Sequence, residues 1–146
     1  MDTHQALVNA AIEQLKLRWP GGEGAVAAAV LLDDGVILTS IGLDNVNAAV
    51  NLCAETGALC QAFTLDRTVV ASACVARAAE GVTVLAPCGV CQERLALWGP
   101  RVEVVVADPE APAGWAMRTL EELNPYYWAT QCTEDGKWPT TAEHSG

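Results

Sequence analysis

Hydrophobic positions change their spacing several times along this chain, and each change marks an element. Over residues 3–18, Ala6, Leu7, Ala10, Ala11 and Leu15 recur at helical steps and predict an amphipathic helix with those side chains inward. Trp19-Pro20-Gly21-Gly22 stops it. Ala25–Leu32 and Val36–Ser40 are apolar runs of strand length, and Asp33-Asp34-Gly35 between them is a hairpin signal. Helical spacing returns through Ala54, Ala58, Leu59 and Ala62, predicting a helix over residues 53–65. Thr68–Val75 reads as a strand, followed by a short excursion at Ala78–Gly81 and a strand at Val82–Leu85. Val90, Leu95 and Trp98 belong to another helix, closed by Gly99-Pro100. Val102–Ala107 is almost continuously apolar, as a buried strand would be. Strands followed by helices predict α/β layers with some parallel pairing.

Composition narrows the class. A chain of 146 residues, 51% of them hydrophobic, can bury the core of one domain. That domain is expected over residues 1–128. Residues 129–146 are polar, contain Pro139, show no periodicity and are expected to form a flexible tail. The longest apolar run, Ala25–Leu32, is too short for a bilayer, and the start Met-Asp-Thr-His-Gln lacks a basic and an apolar signal region. The expectation is a cytoplasmic protein without membrane contact. Its six cysteines then read as metal ligands and buried thiols, with Cys60 and Cys74 assigned to the core.

Charge narrows the ligand. Eighteen acidic against eight basic side chains give a net −10, and the basic ones form no cluster. A polynucleotide binder needs a basic stripe, and a phosphate site needs clustered cations or a glycine-rich loop. The expected partner is a neutral or cationic small molecule, with no nucleic acid polymer.

Two short motifs carry the chemistry: Cys53-Ala54-Glu55, and Pro87-Cys88-Gly89-Val90-Cys91. Three thiols can fill three corners of a zinc tetrahedron and leave the fourth for water. Glu55, two residues after the first thiol, can move that water's proton. Each motif opens a predicted helix, where the dipole favours thiolate. Cys88 and Cys91, three apart, can face one side. A CxxC pair alone also suits a structural zinc knuckle, a redox dithiol or packed cysteines. A four-cysteine knuckle lacks its fourth thiol here, because Cys60, Cys74 and Cys132 fall at the wrong spacings. A redox dithiol leaves Cys53 and Glu55 without work. The only histidines, His4 and His144, lie near the chain ends, so proton transfer falls to a carboxylate, Glu55.

With these motifs the chain resembles the cytidine deaminase family, in its small cysteine-ligated form. The likeness runs from the first helix through both metal motifs to Leu123-Asn124-Pro125-Tyr126-Tyr127-Trp128. It implies a three-layer α-β-α fold with a mixed, roughly five-stranded sheet. It implies Zn2+ on Cys53, Cys88 and Cys91, Glu55 as catalytic proton shuttle, and the Ala54 N–H holding the base. It also implies a closing aromatic, Trp128, near the site, and a homo-oligomer (tetramer or dimer) whose sites are completed across subunits. The implied reaction is hydrolytic deamination of an aminated pyrimidine nucleoside.

Two departures bear on specificity. The family's Asn-x-Glu-Asn ribose grip is replaced by Gly42-Leu43-Asp44-Asn45. Asp44 can still accept a hydroxyl hydrogen bond, and Asn45 can offer an amide contact or shape a turn. The family's arginines beside the thiolates are replaced by Thr56 and Gln92, leaving Arg94 as the nearest cation, able to reach the thiolates or to pair with a surface carboxylate such as Glu93. Neutral hydrogen bonds from Thr56 and Gln92, with the helix dipoles, are the alternative compensation. The rival substrates are a free base, a modified cytosine or a blasticidin-S-like compound. The rival classes are a silent zinc-stabilised binding module and a CxxC redox protein.

Overall fold

The computed structural model describes residues 2–22 and 25–139. Helix α1 spans Thr3–Arg18, with the Asp2 side chain accepting from the His4 N–H at its start. Strands β1 (Val26–Leu32) and β2 (Ile37–Ile41) form the expected hairpin. Gly35 in its turn has φ +88°, a left-handed conformation that glycine adopts without strain. Helix α2 (Glu55–Thr64) follows, then β3 (Val69–Ala78) and β4 (Gly81–Leu85). Helix α3 covers Gly89–Leu95 and tightens into a 3-10 turn at Ala96–Trp98. Strands β5 (Glu103–Ala107) and β6 (Trp115–Thr119), the short helix α4 (Leu120–Leu123) and a 3-10 turn at Trp128–Cys132 complete the order.

The sheet runs β2-β1-β3-β5-β6, with β4 also paired to β3. It is mixed: β3 and β5 are parallel, and the other pairs antiparallel. Because β1 occupies one edge of β3 along most of its length, β4 and β5 share the other. β4 takes Cys74–Ala78 and β5 takes Ala71 and Ser72. Alternation along β1 and β3 divides the core in two. Ala27, Ala29 and Leu31 pack with Leu7, Ala11 and Leu15 of α1 on one face. Val30 and Leu32 pack with Ala58, Leu59, Ala62 and Leu95 of α2 and α3 on the other. The three-layer α-β-α arrangement is therefore present.

Three details differ from the sequence reading. Among the described residues the sheet has six strands where roughly five were expected: Trp115–Thr119 lacks clean alternation and is a half-buried edge strand defined by pairing with β5. Cys60, assigned to the core, is exposed on the outer face of α2, while Cys74 is buried as expected. Beyond residue 128, Ala129 is buried and the Trp138 ring stacks on Tyr127 at 4.2 Å. The remainder of the expected tail, 140–146, lies outside the described residues.

Candidate active site

Both metal motifs sit at helix starts on the same face of the sheet. Cys53 lies just ahead of α2, and its carbonyl accepts from the Thr56 N–H. Cys88 caps α3, with its carbonyl accepting from Gln92 N–H, and Cys91 lies one turn in. The β2 side chain of Ser40 holds the α2 start to the sheet, donating to the Ala54 carbonyl and accepting from the Ala58 N–H. Gly57 is required at that approach, because a Cβ there would meet the Ser40 Cβ at 2.8 Å.

These constraints gather the three thiols so that every pair of sulfurs lies within 4.8 Å, with Cys53 Sγ and Cys88 Sγ 3.4 Å apart. Sulfurs at about 2.3 Å from a tetrahedral zinc lie roughly 3.8 Å from one another, so the cluster fits the ion. Cys91 is buried, Cys53 half-buried and Cys88 exposed, which gives the cluster a closed and an open side. Burial pushes the Cys91 thiol up, and the Glu55 carboxylate adds to the rise. Burial likewise raises Cys53. Burial works against Cys88 too, yet the N–H groups of Cys91 and Val90 and the Cys53 thiol carry it below its ordinary value. A cation that demands thiolates overrides these costs and ties metal binding to folding.

Glu55 is only 3% exposed, and its Oε2 accepts from Cys91 Sγ at 3.3 Å. The carboxylate, with Cys53, Ala54 and Cys88, lines a cavity of about 230 Å³. Of the residues expected to contact substrate, Asp44 and Ala54 reach this cavity. Asn45 does not line it; the Asn45 N–H donates instead to Asn51 Oδ1. Trp128 is 61% exposed and donates from Nε1 to Glu93 Oε2 at 3.1 Å, away from the cavity. Gly42 lines the wall without a side chain.

The thiolate neighbourhood resolves the arginine question. The Gln92 amide donates to the Pro87 carbonyl, and the buried Thr56 hydroxyl has no partner among the described residues. Neither side chain donates to sulfur, so of the alternatives open in the sequence the neutral donors are not the ones realised. Arg94 does, from Nη1 to Cys91 Sγ at 3.7 Å. A residue three positions after a helical thiol lies over the same face, which is the local signal for this contact. Several cavity residues had no local signal, among them Trp19, read only as part of a helix stop, and Cys74, from the middle of β3.

The description "Cytidine and deoxycytidylate deaminase zinc-binding region" belongs to a family model that matches residues 1–107. A cytidine deaminase of Mycobacterium tuberculosis is 35% identical over 108 residues, covering 73% of this chain and 74% of that protein. The crystal structure of the cytidine deaminase from Bacillus anthracis superposes with a TM-score of 0.81 at 34% identity, covering 92% of this chain and 96% of that one. The cytidine deaminase structure from Burkholderia pseudomallei gives 0.68 at 26% identity, covering 86% and 98%.

Proposed function

This chain belongs to the cytidine and deoxycytidylate deaminase family of zinc-dependent hydrolases, and we propose that its substrate is an aminated pyrimidine nucleoside, cytidine or deoxycytidine. The observation that carries the reading is a buried carboxylate, Glu55, set between the thiol cluster and the cavity. In this reading Cys53, Cys88 and Cys91 hold the zinc. When bound, the metal supplies Lewis-acid activation of a water.

Glu55 does the proton work. Its carboxylate accepts a proton from the attacking water and passes it to the ring nitrogen, then takes the proton of the newly attached hydroxyl and passes it to the departing amine. The carbon bearing the exocyclic amine gains a C–O bond and loses its C–N bond. One water is consumed, and the products are the keto ring and ammonia. The Ala54 N–H, at the buried α2 start, orients the ring. Asp44 offers a carboxylate to a substrate hydroxyl. Low exposure of Glu55 keeps bulk water away from the transfer.

Exposed apolar side chains, Phe63, Val90, Tyr126 and Trp128 among them, support a homo-oligomer in which Trp128 serves a neighbouring site. Six free cysteines fit a cytoplasmic setting. No described helix is long and apolar enough to cross a membrane. Residues 1–128 form the catalytic domain in this reading, with Ala129 and Trp138 packed onto it.

Ammonia release by the zinc-loaded protein, measured over cytidine, deoxycytidine, cytosine, modified cytosines, blasticidin S, adenosine and guanine, tests the assignment. Turnover of cytidine or deoxycytidine is expected. A second reading rests on Gly42, which leaves one wall without a side chain. It predicts turnover of a base, a modified cytosine or a blasticidin-S-like compound in place of nucleosides. Zinc binding with no turnover on any member would overturn both.

A further inference from the structure

The active cavity is walled mostly by aliphatic and small side chains, such as Val26, Leu52, Leu85 and Ala86. Trp19 is the one aromatic among the described residues that line it. Its placement is fixed from several sides. Its N–H donates to the Leu15 carbonyl as α1 ends, and its own carbonyl accepts from Arg77 Nη2 at 2.9 Å. Its ring packs against the α1 core, and the Arg18 guanidinium lies 5.2 Å from the ring centroid. A pinned indole costs little to order when a planar ligand arrives.

Gly42 sharpens the point. A Cβ there would be in ordinary contact with Leu52 O at 3.6 Å and with Ala54 N and Val26 O at 3.9 Å, so glycine leaves the wall beside the Ala54 N–H without a side chain. Lateral hold on a flat ring then has to come from another wall. The charged side chains on the cavity are the carboxylates Asp44 and Glu55, with no cation among its described lining, so ring contact must supply affinity that phosphate binding would supply elsewhere.

We propose that Trp19 is a specificity-determining residue that packs against the substrate ring, so that the chain's first helix selects planar aminated heterocycles without phosphate. This rests on the deaminase reading above. The test is steady-state kinetics with cytidine and cytosine, together with intrinsic fluorescence titrated with uridine, for wild type, Trp19→Phe and Trp19→Ala, each checked for zinc content.

Trp19→Ala is expected to raise KM about tenfold with kcat within about twofold, and Trp19→Phe to restore most of the loss. Uridine should quench wild-type fluorescence, and that quench should fall sharply in Trp19→Phe. A KM unchanged in Trp19→Phe and Trp19→Ala, or a quench in Trp19→Phe as large as in wild type, overturns the proposal. If Trp19→Ala does not fold, the phenylalanine variant's quench decides alone. Should wild type release no ammonia, the deaminase reading fails, while loss of quench in Trp19→Phe still supports ring contact. Absence of both turnover and quench overturns both.

Discussion

The floor of the cavity and its mouth are built in opposite ways. The floor is local and redundant: Cys53 and Glu55 are two positions apart, Cys88 and Cys91 three, and each pair is fixed by a helix start. Ser40 and Gly57 lock α2 to the sheet beneath them. The mouth is drawn from separate places: Trp19 where α1 ends, Gly42 and Asp44 after β2, Leu85 at the end of β4. In the proposed reading, chemistry is thus held by short spacings within the chain, and selectivity by side chains that only the tertiary fold brings together. The floor can stay constant while the mouth changes.

Attacking the floor should have the largest effect. Glu55→Gln is expected to lower kcat about 10²–10⁴-fold while zinc content and melting temperature hold, measured by ammonia release and metal analysis. Near-normal turnover in a zinc-loaded glutamine variant would remove Glu55 from the mechanism. Cys91→Ala should lose zinc, and a chelator should lower the wild-type melting temperature while leaving the variant's unchanged. Arg94→Ala should weaken zinc affinity about 10–100-fold, with partial recovery in Arg94→Lys, read by competition with a chromogenic chelator. Equal affinities in all three proteins would mean that the 3.7 Å contact with Cys91 carries no charge compensation.

Two glycines then separate floor from mouth. Gly57→Ala forces a Cβ to within 2.8 Å of the Ser40 Cβ, and should cost about 1–3 kcal/mol in denaturant unfolding. Gly42→Ala makes only ordinary contacts, and should stay within about 0.5 kcal/mol of wild type. Similar losses at both positions would erase the distinction.

The smallest effect concerns neither region. Burial, then the neighbouring Glu93, pushes the Tyr127 hydroxyl up from 10.0 to about 12. A raised pKa favours the protonated folded state, so this contribution is whole below pH 10.0 and is lost as pH rises toward about 12. Urea midpoints should decline over that interval, and Tyr127→Phe should flatten the decline.

The same contrast explains what could be read from residues alone. The α1 helix, the β1–β2 hairpin and the thiol cluster follow from periodicity, turn chemistry and short spacing. Trp115–Thr119 escaped because an edge strand is specified by its partner β5, not by its own pattern. Cys60 was misplaced because α2 is apolar on more than its buried side, leaving Phe63 exposed as well. Trp19 carried no motif at all. Its role arises from where α1 ends relative to a cavity formed mainly by later elements.

The two helix starts also set an order of events in time. Cys88 and Cys91 enclose a loop of a few residues, whereas Cys53 joins them only across 35 positions and the whole of β3 and β4. Closing the longer loop in a disordered chain costs roughly 2 kcal/mol more entropy, about three doublings of length. A metal ion present while the protein is being made therefore meets a two-thiol clamp first. The third thiol arrives when the sheet has formed, so complete coordination reports that the strands between have been correctly threaded.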